Sequence, residues 1–267
     1  MERGNVDPAN LEVLDLATDL ATRAGAIQRQ RYETRLEVRT KSASIDLVTE
    51  VDRECEALIV EGVQSARPGD AILAEEGGGE DHGESPWRWV IDPLDGTTNY
   101  AHGFPRFCVS IGVEFRGVRT VAAVYDPLLD ELFHAVRGAG AWLGERKLEV
   151  SATADLGQAL VATGFAYDVH QSQDDNLARF AQVLKAARGI RRDGSAALDL
   201  CYVAAGRLDA YWEFKLHAWD VVAGCLIVEE AGGQVSNTSG GPVPASGDEI
   251  VASNRRLHEA ILAQMKT

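Results

Sequence analysis

Apolar residues recur at helical spacing near the start of the chain, at Leu11, Leu14, Ala17, Leu20, Ala21, Ala24 and Ile27. Asp7-Pro8 stands just before them, a capping side chain followed by the residue that suits a first helical turn. The pattern predicts a long first helix. A polar stretch from about Arg35 to Asp46 reads as a loop or loose hairpin carrying Lys41. Thr49-Glu50-Val51-Asp52 has the form of a capping box with Asp52 as the third-position acid. Val51, Cys55, Leu58 and Ile59 give that second helix its apolar stripe, and Pro68-Gly69 ends it. Ile72-Leu73-Ala74 reads as a short strand ending in Glu75-Glu76, followed by a glycine-rich polar loop to Ser85. Trp89-Val90-Ile91 is a second short strand, ending in Asp92.

From Val109 the period changes to two. Val109, Ile111, Val113 and Phe115 alternate, Arg116-Gly117 turns, and the chain returns over Val118–Tyr125 and again over Glu131–Val136, with a fourth strand expected near Lys147–Val150. After about residue 152 strands and helices alternate. Strands are expected at Leu160–Thr163, Asp209–Glu213 and Ile250–Ser253, and helices at Asn176–Arg188, Ser195–Ala205, Asp220–Ala231 and Leu257–Met265. The Asp220–Ala231 segment is apolar all round, which predicts burial on every side. The expected division is an α+β half over residues 1–151, with an antiparallel sheet, and an alternating α/β half over 152–267. No Pro/Gly/Ser-rich linker separates them, so one extended interface is expected.

Charge narrows the function. The 26 basic and 41 acidic residues leave a formal charge of −15, which argues against nucleic-acid and anionic-membrane partners that need a basic footprint. The longest apolar run, Val221–Val228, is far too short to span a bilayer, and no amino-terminal secretion signal is present. Cys55, Cys108, Cys201 and Cys225 show no zinc-like spacing and read as reduced, buried thiols of a cytoplasmic protein.

The chemistry concentrates in W-V-I-D-P-L-D-G-T-T-N-Y, residues 89–100. Carboxylates at Asp92 and Asp95 can hold hard divalent cations, and Gly96-Thr97-Thr98 opening a helix offers free N–H groups to a phosphate. The same residues are also ordinary turn and capping chemistry. Glu75-Glu76 alone would suit a solvated loop entry, and Asp220 a helix start. Their combination at successive element ends is what points to a metal site. A Ca²⁺ module is not favoured, because the chain lacks a D-x-D-x-D-G loop.

Five segments carry a resemblance: D-L-V-T-E-V-D at 46–52, A-E-E-G at 74–77, W-V-I-D-P-L-D-G-T-T-N at 89–99, G-S-A at 194–196 and W-D-V-V-A-G at 219–224. Together, in this order, they make the chain resemble the inositol monophosphatase family of Mg²⁺-dependent, Li⁺-sensitive phosphatases. The resemblance implies a layered α-β-α-β-α sandwich with the site between its halves, and a homodimer. It implies two Mg²⁺ ions. Glu75, Asp92 and the Leu94 carbonyl would bind the first, and Asp92, Asp95 and Asp220 the second, with a third, looser ion leaning on Glu75 and water. Thr97 with Asp52 would polarise the attacking water, and Gly96 and Thr97 N–H groups would hold phosphate oxygens. Glu76 and Lys41 would stand near the metal set. Asp95, Gly194, Ser195, Ala196 and Glu213 would face the substrate.

The expected substrate is a small phosphorylated polyol or sugar, myo-inositol 1-phosphate first, because a carboxylate at Glu213 can accept two ring hydroxyls. Fructose 1,6-bisphosphate, histidinol phosphate and 3′-phosphoadenosine 5′-phosphate remain alternatives, with Asp193 expected to disfavour a second phosphate. So does a regulatory protein-binding role, which some bacterial relatives of this fold have.

Overall fold

The computed structural model describes residues 6–34, 38–40, 47–77 and 85–266. Lys41, most of the polar 35–46 stretch and the glycine-rich loop from Gly78 to Glu84 lie outside the described residues. Helix α1 (Pro8–Arg31) starts as expected, with the Asp7 side chain accepting the Ala9 N–H at 2.9 Å. A short antiparallel pair, β1 (Val38–Thr40) and β2 (Leu47–Thr49), leads into α2 (Glu50–Ala66), whose capping box uses Thr49 and Asp52.

A seven-stranded sheet follows, its strands adjacent in chain order: β3 (Ala71–Ala74), β4 (Trp87–Asp95), β5 (Cys108–Phe115), β6 (Val118–Asp126), β7 (Glu131–Val136), β8 (Gly140–Leu143) and β9 (Arg146–Lys147). Only β3 and β4 pair in parallel. One turn of helix, α3 (Thr97–Ala101), sits between β4 and β5. A five-stranded sheet is built from β10 (Leu160–Thr163), β11 (Gly189–Arg191), β12 (Ala210–Phe214), β13 (Gln234–Ser236) and β14 (Glu249–Ser253), in the order β11-β10-β12-β14-β13. Helices α4 (Leu177–Ala186), α5 (Ala196–Ala204), α6 (Ala218–Glu230) and α7 (His258–Met265) complete the chain. Among the described residues no helix is long and apolar enough to cross a membrane.

The layers are α-β-α-β-α. Helices α1 and α2 cover one face of the large sheet, joined to it by a core that includes Leu20, Ile59, Trp89 and Ile111. Helices α5 and α6 fill the space between the sheets, and their core draws on Phe133, Leu200, Leu226 and Ala252. Helix α7 backs the far face of the small sheet, and α4 packs against it. The apolar sequence of α6 is explained by this position, since it touches sheet residues on both sides. Gly112 on β5 lets it come close: a Cβ there would lie 2.6 Å from Val222 and 2.9 Å from the Ala223 nitrogen.

Several elements differ from the sequence reading. The sheet closes at this side with β8 and the edge strand β9, and Leu148 is turned inward with its N–H on the Ala141 carbonyl at 2.8 Å, so no strand runs over 147–150. The small-residue run Gly138–Ala141 gave no alternation to read. The three-residue strands β11 and β13 are likewise too short to carry a period. The small sheet is mixed, with β10 parallel to β11 and β12 but β14 antiparallel to β12 and β13. Asp220 does not begin α6. It is the third helical residue, behind an N-cap at His217, and accepts the His217 N–H at 2.6 Å.

Candidate active site

The site begins with a fault in β4. The strand does not stop at Asp92 but continues through Pro93 to Asp95, and its pairing with β5 shifts register between those two aspartates. Proline cannot donate to the ladder, and the bulge re-aims the carboxylates on either side of it. The freed Pro93 carbonyl accepts from the buried Gln28 side chain of α1 at 2.8 Å. Asp92 uses one oxygen on the Leu94 N–H at 3.0 Å, which closes the turn locally.

Helix α5 holds Asp95. The Ser195 hydroxyl donates to Asp95 Oδ2 at 2.5 Å and the Ala197 N–H does so at 2.8 Å, leaving the other carboxylate oxygen free of those bonds. Ser195 is buried and its hydroxyl faces Asp95, so it does not join Gly194 and Ala196 in lining the cleft. Asp220 lies over the first turn of α6, where the amide dipoles favour negative charge.

Gly96 adopts φ +96°, the left-handed region, and a Cβ there would meet the Arg106 carbonyl at 2.8 Å. This turn delivers Thr97 to the start of α3. The Thr97 hydroxyl lies 2.8 Å from Asp52 Oδ1 and 3.1 Å from the Leu94 carbonyl, with one proton to give. Asp52 is fully buried, and its other oxygen accepts from the Thr49 hydroxyl at 2.6 Å and the Thr49 N–H at 2.9 Å. The capping box of α2 therefore aims a carboxylate at the hydroxyl of α3. Burial raises the Asp52 pKa, against the lowering effect of its Thr49 and Thr97 hydrogen bonds.

These pieces surround a cleft of ≈ 210 Å³. Glu75, Asp92, Asp95 and Asp220 line one part of it, with the Leu94, Gly96 and Thr97 segment beside them. Gly194, Ala196 and Glu213 line the same cleft, together with Arg192 and a wall from Gly164 to Tyr167. Asp52 stands behind Thr97 rather than in the cleft, and the Glu76 N–H is tied to Glu56 at 2.7 Å.

Burial, followed by repulsion from Glu75, Asp95 and Asp220, holds the Asp92 carboxyl well above the usual carboxylate range. Asp220 is pushed up well above that range by burial and then by Asp95 and Glu75. Burial also raises Asp95, with Ser195 and the amides of α5 pulling it back. Among the described residues no lysine, arginine or histidine forms an ion pair with Asp92, Asp95 or Asp220. Nor do three acidic, histidine or cysteine side chains among them draw into one closed ligand cluster. An all-oxygen acidic set of this kind, in which Asp92, Asp95 and Asp220 have no cationic side chain paired to them among the described residues, fits a hard divalent cation such as Mg²⁺, which takes a few carboxylates and keeps several waters.

Glu213 closes the far end. Tyr211 donates its hydroxyl to Glu213 at 2.5 Å, and Gly164 leaves the space, since a Cβ there would lie 2.0 Å from the carboxylate. Burial raises the Glu213 pKa to about 7, with Tyr211 and Arg192 acting in the opposite direction.

The sequence reading missed Gln28, Asn99, Tyr211 and Arg192. Gln28 carried a weak signal as a polar residue beside an apolar helical stripe; Asn99 stood within the quoted motif without a role. Nothing in the local pattern marked the other two.

The sequence profile described as the inositol monophosphatase family matches residues 9–267. The chain is 44% identical over 255 residues to inositol-1-monophosphatase of Synechocystis, covering 95% of this chain and 89% of that protein. It is 43% identical to Nus factor SuhB of Vibrio cholerae, covering 95% of this chain and 96% of that one. Among solved structures it superposes on inositol monophosphatase from Anabaena with a TM-score of 0.86 at 42% identity, covering 96% of each chain. With the five motifs, the layered fold and the carboxylate-lined cleft in agreement, the chain belongs to the inositol monophosphatase family of phosphatases.

Proposed function

We propose that the protein hydrolyses a ring polyol monophosphate, myo-inositol 1-phosphate first, with Mg²⁺ held by Glu75, Asp92, the Leu94 carbonyl, Asp95 and Asp220. The observation that carries this reading is the gathering of Glu75, Asp92, Asp95 and Asp220 in one cleft with Thr97, its hydroxyl on Asp52. Bound Mg²⁺ supplies positive charge to the phosphoryl oxygens and acidifies water. The chain's own residues do the rest. The Asp52–Thr97 pair orients a water at the α3 end of the cleft and takes up its proton density. The Gly96 and Thr97 N–H groups, at the start of a turn, receive phosphate oxygens. Phosphomonoester hydrolysis has a loose transition state, so positioning and charge neutralisation supply most of the rate.

Glu213 would accept hydroxyls of the leaving ring as a carboxylate. Its charged form is the competent acceptor and its pKa is about 7. KM for the inositol ester should therefore rise as pH falls below about 7. The Glu213→Gln variant should show a higher KM that no longer varies across this range. A steady-state KM profile between pH 6 and 8 on both proteins checks it.

Ser195 would act on Asp95 instead of on substrate. Removing its hydroxyl in Ser195→Ala should weaken Mg²⁺ binding by about 10- to 100-fold, the usual cost of losing a ligand's hydrogen-bond partner. Titration calorimetry with Mg²⁺ alone reads this without turnover.

Phosphate release from inositol 1-phosphate, fructose 1,6-bisphosphate, histidinol phosphate and 3′-phosphoadenosine 5′-phosphate, with Mg²⁺, with EDTA and with added Li⁺, tests the whole reading. A preference for the inositol ester that EDTA removes and Li⁺ inhibits supports it. Preference for another ester keeps the metal site and overturns the role of Glu213. Release from none would favour the regulatory protein-binding role instead, a reading in keeping with the Vibrio cholerae relative's being named a Nus factor.

A further inference from the structure

Asn99 ends the W-V-I-D-P-L-D-G-T-T-N motif, and neither metal nor phosphate chemistry uses it. Its side-chain amide faces three main-chain carbonyls. Nδ2 lies 2.7 Å from the Arg106 oxygen, 2.7 Å from the Asp193 oxygen and 3.3 Å from the Gly194 oxygen. Two N–H protons thus tie α3 and the nearby chain at Arg106 to the distant Asp193-Gly194 segment. The Asn99 carbonyl in turn accepts the Phe104 N–H at 2.8 Å, which fixes the approach to Arg106.

Two of those carbonyls press on the phosphate-holding turn. A Cβ at Gly96 would meet the Arg106 oxygen at 2.8 Å and the Gly194 oxygen at 3.3 Å. Gly194, at φ +81°, also lines the cleft, in the segment expected to face the substrate ring. One side chain therefore ties the turn at Gly96-Thr97 to the wall at Gly194–Ala196. Its donors occupy carbonyl oxygens that would otherwise present unpaired negative ends beside that turn. Without the amide, buried carbonyls lose their partners and the wall is free to shift.

We propose that Asn99 is a positioning residue that sets the span between the phosphate-holding turn and the ring-facing wall, and so favours ring esters over small phosphomonoesters. This rests on the phosphatase reading above. A ring must touch both ends of the cleft, whereas methyl phosphate needs only the turn. A displacement of the wall by about 1 Å is enough to cost on the order of 10²-fold where both ends must fit.

The test compares wild type with Asn99→Ala, Asn99→Asp, which keeps the shape without the donors, and Asn99→Ser, which keeps one donor. Steady-state constants are measured on inositol 1-phosphate and methyl phosphate, with thermal unfolding as the folding control. The expected result is a fall of at least about tenfold in kcat/KM for the inositol ester, carried by KM, with less than about threefold change on methyl phosphate. Asn99→Ser should lie between wild type and Asn99→Ala, and is the variant to rely on should the other two unfold. Equal losses on both esters, or an unchanged preference in Asn99→Ser and Asn99→Ala, overturn the inference and leave the phosphatase reading standing. A wild type that releases phosphate from neither ester overturns the inference, and the phosphatase reading falls with it only if the other three esters of the panel above also release none.

Discussion

Asp92→Asn is expected to leave a folded protein with at least about a thousandfold less activity, since losing roughly 4 kcal/mol of charge stabilisation in the transition state costs three decades. Asp92 is the carboxylate whose charge three neighbours oppose, and the one assigned to both metal positions. The amide keeps its shape and its turn to Leu94 but removes the charge that would attract a cation. The same substitution should have an opposite effect on stability without metal. An aspartate whose folded pKa is raised contributes stability that is fully present below its unfolded pKa and lost as pH rises through the folded one. Burial and the repulsion of Glu75, Asp95 and Asp220 place Asp92 in that class. In EDTA at neutral pH the Asp92→Asn variant should therefore melt above the wild type. Adding Mg²⁺ should raise Tm in the wild type and leave the variant unmoved. Differential scanning fluorimetry alongside phosphate release reads all of this. Full Mg²⁺-dependent activity in the variant would remove the basis for the metal assignment.

Thr97→Val separates water activation from metal binding. Valine keeps the branched shape at the start of α3 but cannot hydrogen-bond Asp52, whose oxygen then loses its 2.8 Å partner. Removing a general acid–base arrangement typically costs about 10²- to 10⁴-fold in kcat, and a loss in that range is expected here. Mg²⁺ affinity measured by calorimetry should stay near the wild-type value, because Asp52 and Thr97 are separate from the carboxylates that line the cleft. Thr97→Ser, which restores the hydroxyl, should recover most of the rate. A Thr97→Val protein that keeps wild-type kcat would assign the water elsewhere.

These two variants address residues found in the sequence by different means. Asp52 was legible because a capping box is a local object, with both partners within four residues and their hydrogen bonds set by helix geometry. Asp92 and Asp95 were legible as a pair at a turn. That β4 runs on through Pro93 was not, because a proline reads as a strand's end unless something supplies the missing bond. Gln28, more than sixty residues away, supplies a partner to the freed carbonyl. Asp220 was placed at the wrong helical position for a similar reason. The expected cap types favour a short polar side chain, and the observed cap at His217 relies on the aspartate reaching back to its amide.

The sequence by itself determined most of the helices and strands and the absence of a basic footprint, and its resemblance to a family implied the layer type and the acidic and hydroxyl residues of the cleft. Period, capping and charge are short-range properties that the chain carries before it folds. Only the tertiary structure decided that Ser195 serves Asp95, that Asn99 spans three segments, and that Glu213 is raised by burial and balanced by Tyr211 and Arg192. The Ser195–Asp95 and Asn99–Asp193 contacts join groups far apart in the chain through the packing of α5 and α6 between two sheets, while Glu213, whose Tyr211 partner is local, takes its raised pKa from burial in that packing. Hydrogen-bond partners and local dielectric are set by that packing, and no pattern along the chain encodes which distant side chain will arrive.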